Sequence, residues 1–256
     1  MAESTISSGD IIAMAKLTII MPIYNEQKAL PQTIEALQAL DPAPNEIILV
    51  DGDSEDDSVA LARAEGLNVM LSPKRGRAAQ INFGVQKASG ELICILHADS
   101  YLPVDAISVM KNAMMNPALA LAGFTPRIAG PDGTRWGSSL HNWIKTWYTP
   151  MFFRPKLFFL HGVRLLYGDH AMFFRRENFI DVGGCDERVS VMEEADLCIK
   201  LSRFGKTQIL RRWVWTSDRR IATWGRFRAN YIYLKVGLMW AFGARERLAD
   251  HYPDVR

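Results

Sequence analysis

The chain has 256 residues, 48% of them hydrophobic and 23% charged, with 30 Lys and Arg against 28 Asp and Glu. These values describe a globular protein able to bury a core without disulfides or a structural metal, and they exclude disorder and fibrous repeats. No apolar run approaches the roughly 20 residues that span a bilayer. Cys94, Cys185 and Cys198 lack paired spacing and suit a reducing, cytoplasmic setting.

Charge is unevenly spread: residues 1–130 carry 9 Lys and Arg against 15 Asp and Glu, and residues 131–256 carry 21 against 13. Such polarity fits two solvated faces, or an acidic metal or nucleotide end facing a basic region that handles phosphate or an anionic surface. Residues 1–16 lack a basic n-region and are expected to form a disordered leader, with Met14 as an alternative start.

Leu17 to Ile23 is a continuous apolar run rich in β-formers, and Ala29 to Leu40 carries apolar residues at helical spacing, so the order is strand, loop, helix. Glu46 to Val50 is a second strand, and Ser54-Glu55-Asp56-Asp57 has capping-box spacing for a helix through Arg63. Leu67 to Leu71, Gly76 to Ala88 and Glu91 to Leu96 repeat the unit. This alternation predicts a parallel sheet covered on both faces, with ligands outside the carboxyl ends of its strands. The residues there are Pro22, Tyr24 and Glu26, then Asp51 and Asp53, then Ser72 and Pro73, then His97 and Asp99.

Beyond residue 125 the composition shifts to a segment dense in Trp, Phe and Tyr interleaved with Arg and Lys, running to His170. It reads as core, as a surface resting in a lipid interface, or as a hydrophobic acceptor channel. A strand at Ala171 to Arg175, a Gly183-Gly184 turn, a helix from Met192 to Phe204, a strand from Gln208 to Trp215 and an aromatic helix from Trp224 to Phe242 follow. That last helix is a candidate surface for a homodimer.

Asp99 at a strand end can hold Mg²⁺ or Mn²⁺ on a diphosphate, with His97 a nitrogen ligand that Mn²⁺ accepts more readily. The bland alternative makes Asp99 a cap for a helix starting near Pro103. Glu193, Glu194 and Asp196 open a helix, where acids suit the positive helix end; in a dry crevice Glu193 or Glu194 could take a proton from a hydroxyl. Gly76-Arg77 after Lys74-Arg75 brings free N–H groups and cations together as an anion site. No phosphate loop and no GxGxxG follows the first strand, which weakens ATPase and dinucleotide readings. The Arg219-Arg220 region is basic but local, and does not read as a nucleic-acid surface.

Taken together, TIIMPIYNE, EIILVDGDSEDDS and GRAAQINFGVQKASGELICILHAD resemble the nucleotide-binding strands and metal-motif approach of the family 2 glycosyltransferases with a GT-A fold. YGDHAMFFRRENFIDVGGCDERVSVMEEADLCIKL, TSDRRIATWGRFR and LADHYPDVR are similar to the acceptor side and C-terminal signature of the radical-SAM/selenodomain-associated transferase subgroup. The resemblance implies a GT-A domain over 17–220, divided into a nucleotide-binding half (17–124) and an acceptor half (125–220), with a helical extension at 221–256. It implies a nucleotide-sugar donor, first of all a UDP-sugar, and a hydroxyl acceptor of unspecified class. Pro22, Tyr24, Glu26, Asp51, Asp53, Gly76 and Arg77 would bind the nucleotide, and Asp99 with His97 would hold the metal. Glu194, with Glu193 beside it, would deprotonate the acceptor in an inverting displacement. Asp169 and His170 would face the acceptor, and Arg219 and Arg220 the leaving diphosphate. Two departures stand out: His97 replaces the broader family's Asp, and Glu194 replaces the Asp of the usual Glu-Asp pair. The competing readings are a nucleotidyltransferase of related fold and a degenerate sugar-nucleotide-binding protein. Peripheral attachment to the inner face of an anionic membrane is a separate expectation from the aromatic and basic segment.

Overall fold

The computed structural model describes residues 15–189, 191–244 and 248–252. Residues 1–14 of the expected leader and residues 253–256 of the closing signature lie outside the described residues. Ala15 is buried and the Lys16 backbone N–H donates to Glu91 at 2.6 Å, so these two residues of the expected leader pack against the domain.

The first half alternates as expected: β1 (Leu17–Ile23), α1 (Leu30–Gln38), β2 (Glu46–Asp51), α2 (Ser58–Ala64), β3 (Asn68–Leu71), α3 (Arg77–Lys87) and β4 (Leu92–Ile95). β2 and β4 flank β1 in parallel and β3 pairs outside β2. Every residue of β1 is buried because both sheet faces are covered, which is why it reads as an unbroken apolar run. Leu17, Ile19, Met21 and Ile23 pack towards α1, while Ile20 packs on the other face with Ala78, Ile81 and Val85 of α3. α2 starts at Ser58 with Asp57 at its N-cap, three residues later than a cap at Ser54 would place it. Ser54 forms no helix cap because its hydroxyl donates to Asp51 at 2.6 Å.

Short β5 (Ser100–Tyr101) and α4 (Ala106–Met114) lead to β6 (Leu119–Gly130), β7 (Gly133–Thr134), α5 (Trp136–Phe153) and α6 (Pro155–His161). β8 (Phe173–Arg175), α7 (Arg176–Asp181), α8 (Glu193–Leu201), β9 (Lys206–Ser217), α9 (Arg219–Trp224) and α10 (Arg226–Ala241) complete the main elements. The sheet runs β3-β2-β1-β4-β8-β6-β9-β5, with β7 against β6. It is mixed beyond β4: β8 enters antiparallel to β4 and β6, β6 and β9 are parallel, and β5 is antiparallel to β9.

The described part of the C-terminal helical extension packs into the body of the protein. Trp224, Ile232, Val236 and Trp240 share one core cluster with α3 and α8. The aromatic helix is broken at Gly225, whose φ of +76° separates α9 from α10. α5 and α10 lie side by side and run the same way: Gly137 meets Arg226, Lys145 lies over the Tyr233 ring at 5.5 Å, and Phe153 packs on Phe242 at 5.9 Å.

α5 has inverted polarity. Its buried positions are Ser139, Asn142, Thr146, Thr149 and Pro150, whereas Trp136, Leu140, Trp143, Ile144 and Trp147 are exposed. On α10, Phe227, Tyr231, Leu234 and Leu238 are exposed at helical spacing. Phe152 of the first stripe and Leu234 and Leu238 of the second line one cavity, so the two stripes meet at its wall. Among the described residues, no helix is long and apolar enough to cross a membrane.

Candidate active site

The loops after β1 and β2 are joined by short polar contacts. Gln80 of α3 donates to the carbonyls of Ile23 and Val50, both at 2.7 Å, and so holds the two strand ends together. Asn25 and Asp53 have φ of 53° and 73°, left-handed values that Asn and Asp tolerate. The buried Asp51 carboxylate accepts the Asp53 and Ser54 N–H groups, each at 3.1 Å, and the Ser54 hydroxyl. Asp53 pairs with Arg75 at 2.8 Å, and Arg75 lies over the Tyr24 ring at 5.5 Å. Tyr24, Asp51 and Asp53 are thus linked at the carboxyl ends of β1 and β2, where the sequence predicts the ligand cleft, and Pro22 is buried in β1.

The expected meeting of three cations at the start of α3 does not occur. Lys74 pairs with Glu187 at 2.8 Å, Arg75 with Asp53, and Arg77 with Glu193 at 3.1 Å, so each turns to a different acid. Gly76 opens the helix with φ +118°, a backbone angle that excludes side chains although nothing crowds its Cβ direction.

Arg219, the first residue of α9, connects this cleft to a second region. Its guanidinium donates to Glu26 at 2.9 Å and to Asp99 at 3.2 Å. Asp99 does not cap a helix, because α4 starts at Ala106 with Asp105 at its N-cap.

Beyond Asp99 lies a cavity of about 420 Å³. Its wall includes Arg77, His97, Asp99, Asp169, Glu194 and Arg220 from the expected set, with Asn142, Lys145 and Tyr148 of α5 and Tyr233 of α10. Met192, in left-handed conformation at φ 74°, precedes α8 and turns Glu194 into this space. Glu193 is fully buried against Arg77 and does not line the cavity, so of the two expected bases Glu194 is the one in its wall.

His97 Nε2 donates to Glu194 Oε1 at 2.9 Å. Burial opposes charge on Glu194, but the hydrogen bond and charge of His97, with Arg77 nearby, hold its carboxyl well below the usual range. Burial and the neighbouring Glu194 push Glu193 the other way, against the pull of Arg77. The histidine can approach only because residue 168 is glycine. A Cβ there would sit 1.8 Å from His97 Cε1.

Asp169 faces the cavity, but His170 is wholly buried and does not. His170 Nδ1 instead donates to Asp169 at 3.0 Å, a positioning contact, and Asn142 donates to the other oxygen. Despite burial, Asp169 is held ionised below its ordinary range by His170, Lys145 and Asn142. Lys145 lies 4.0 Å over the Tyr167 ring, and Arg220 lies 5.3 Å over Tyr252. The α5 and α10 wall residues were not singled out from the sequence as a site; the Lys145 side of the aromatic segment was its only signal.

A divalent metal on a bound diphosphate needs one or two protein carboxylates, with phosphate and water supplying the remaining oxygens. Asp99, at the junction of cleft and cavity, fits that donor set. His97 does not join it here because its Nε2 is engaged by Glu194. Among the described residues no three His, Cys, Asp or Glu side chains converge as a metal cluster.

This arrangement has relatives. A 23% identical stretch of 172 residues, 67% of this chain, aligns with 73% of an uncharacterized glycosyltransferase of Mycobacterium bovis. The undecaprenyl-phosphate 4-deoxy-4-formamido-L-arabinose transferase of Sodalis glossinidius is 38% identical over 103 residues, 36% of this chain and 31% of that protein, so the chain spans about a third of that enzyme's length. Among solved structures, a mannosyltransferase of Pyrobaculum calidifontis with GDP-Man and Mn²⁺ superposes with a TM-score of 0.61 at 21% identity, over 94% of this chain and 66% of that one. Glucosyl-3-phosphoglycerate synthase of Mycobacterium tuberculosis, with Mn²⁺, UDP and its product, gives 0.60 at 16% identity over 95% and 86%. At these identities the likeness concerns the fold, which is GT-A. The family model described as Glycosyl transferase family 2 matches residues 18–183, and the chain belongs to that family.

Proposed function

We propose that the protein is a metal-dependent, inverting glycosyltransferase that moves a sugar from a nucleotide-sugar donor, a UDP-sugar first, to a hydroxyl acceptor. One observation carries this reading: the buried Glu194 carboxylate, held by His97, faces the same cavity as Asp99, which Arg219 ties to Glu26 in the strand-end cleft. Donor and acceptor would meet at that junction. Tyr24, Asp51, Asp53 and the N-terminus of α3 would hold the nucleotide, with Pro22 and Gly76 shaping the backbone and Glu26 beside them. The resemblance of residues 216–228 to the radical-SAM/selenodomain-associated transferases supports placement in that subgroup.

Asp99 would hold Mn²⁺ or Mg²⁺, which supplies charge neutralisation to the diphosphate. Glu194 accepts the proton of the acceptor hydroxyl as its oxygen bonds to the anomeric carbon. The bond from that carbon to the diphosphate oxygen breaks on the opposite side, and the nucleoside diphosphate leaves with the electron pair. A carboxylate held below its usual range by His97 is ionised at neutral pH and so free to accept that proton as the new bond forms. Arg77 and Arg219 oppose the charge that grows on the leaving group, and His97 fixes the Glu194 rotamer.

The test is calorimetric titration with UDP, GDP and their sugar conjugates, with Mn²⁺, Mg²⁺ and then EDTA, on the wild type and Asp99→Ala. Metal-dependent binding of one nucleotide, lost in the variant, is expected. Absence of binding by every nucleotide would overturn the reading.

A further inference from the structure

The cavity is not closed at its outer end. Phe152, Leu234 and Leu238 are exposed on the apolar stripes of α5 and α10 and also line the cavity wall, so the cavity opens on that face. The face is large: Phe159 and Leu160 of α6 are 70% and 76% exposed, and Phe227 of α10 is 90% exposed. A helix that buries Ser, Asn and Thr while exposing Trp, Leu and Ile has its apolar side turned to something other than water.

Charge identifies that something. Residues 133–168 and 219–244 each contain five Lys or Arg and no Asp or Glu. A two-fold contact between copies would bring such surfaces against themselves, cation to cation. An anionic lipid surface complements both the apolar stripes and the cations around them. Inside the cavity, Lys145 and Arg220 have no carboxylate at ion-pair distance among the described residues: they lie over the rings of Tyr167 and Tyr252, and Asp169 and Asp99 act on them only from beyond that distance. Two such cations beside Glu194 suit a phosphate.

We propose that the acceptor is a membrane amphiphile whose head carries phosphate and hydroxyl: α5, α6 and α10 rest on an anionic bilayer, and the head enters between Phe152 and Leu234 while its chains stay in the lipid. Lys145 and Arg220 meet the phosphate, and a head-group hydroxyl meets Glu194. This names the acceptor class for the transfer reaction proposed above and rests on it.

The experiment uses the full chain, with vesicles of equal parts phosphatidylcholine and phosphatidylglycerol, others containing phosphatidylinositol, and phosphatidylcholine alone. Co-sedimentation is measured at low and high salt for the wild type and for Leu140→Glu/Phe227→Glu, whose positions lie outside the cavity. Radiolabelled UDP- and GDP-sugars report transfer as label extracted into organic solvent. The wild type should pellet with the anionic vesicles in a salt-sensitive manner, the double variant should bind roughly tenfold or more weakly, and label should enter the lipid phase. Lys145→Met should raise the KM for lipid acceptor and leave pelleting unchanged.

Failure of the wild type to pellet at low salt overturns the proposal, as does a dimer in sedimentation velocity that loses its contact in the double variant without vesicle binding. Pelleting without lipid labelling, while label enters water-soluble acceptors, overturns the acceptor class. Nucleotide titration of the same double variant keeps the readings apart: it should match the wild type, and loss of nucleotide binding by the wild type itself would count against the transfer reaction, with pelleting still reporting on the face.

Discussion

The two sides of the candidate site are built from different materials. At the rim of the strand ends charges pair in the open, Arg75 and Asp53 being 58% and 65% exposed, whereas Arg219 and Glu26, which lead to the cavity, are at 24% and 12%. In the cavity they pair in the dark, with His97 and Glu194 at 13% and 4%. An exposed pair exchanges readily with water and contributes little, whereas a buried carboxylate left without its partner is strongly destabilising. The cleft is therefore suited to release and rebind a charged ligand, and the cavity to hold one geometry through many turnovers.

Glu194→Gln gives the sharpest break between the two sides. Transfer should fall by on the order of 10² to 10⁴-fold, while calorimetric nucleotide affinity stays near that of the wild type; equal turnover would remove Glu194 as base. Gly168→Ala should come next, since one methyl group displaces the His97 ring. Loss of transfer and a Tm lower by several degrees, with nucleotide affinity kept, is the expected pattern, and unchanged activity would show that His97 has room elsewhere.

Arg219→Met cuts the link between the sides. It should weaken nucleotide binding about tenfold, and an effect confined to the acceptor KM would place Arg219 wholly on the cavity side. pH tests the cavity through Asp169, and the Asn variant separates it from Glu46, Asp56, Asp186 and Glu187, which are lowered as well. Asp169 has its folded pKa below the ordinary carboxylate value, so its contribution is complete above the unfolded pKa and is lost as pH falls from about 5 towards the folded value. Asp169→Asn should flatten that acid limb in urea denaturation, and an unaltered limb would show that the group carries no net linkage. The smallest effect belongs to Arg75→Ala. Stability should be unchanged within error and nucleotide affinity altered by no more than about twofold.

Much of the cleft was legible in the sequence because its strands are covered on both faces. LTIIMPI and EIILV read as strands without ambiguity, and the carboxylates that end them mark the carboxyl edge. The second half resisted for two physical reasons. β6 contains Gly123 and Pro126, which look like breakers; Gly123 is there because a Cβ would come within 2.9 Å of the His170 carbonyl oxygen. α5 is a helix with its polar residues inside, and the aromatic density of that segment by itself left core, lipid surface and acceptor channel equally open. His97 was legible as a site residue, but its attachment to Glu194, 97 positions away, depends on β4 and α8 being brought together across Gly168.

The left-handed backbone of Met192 has one more consequence. For a residue with a Cβ that conformation is disfavoured by of order 1 kcal/mol or more, so the turn before α8 acts as a loaded spring whose energy the rest of the fold supplies. Selection for thermostability alone would relax it, with Gly or Asn at 192. A variant of that kind should melt higher, and any slower transfer it showed would measure how much of the chain's folding energy is diverted into aiming a single carboxylate.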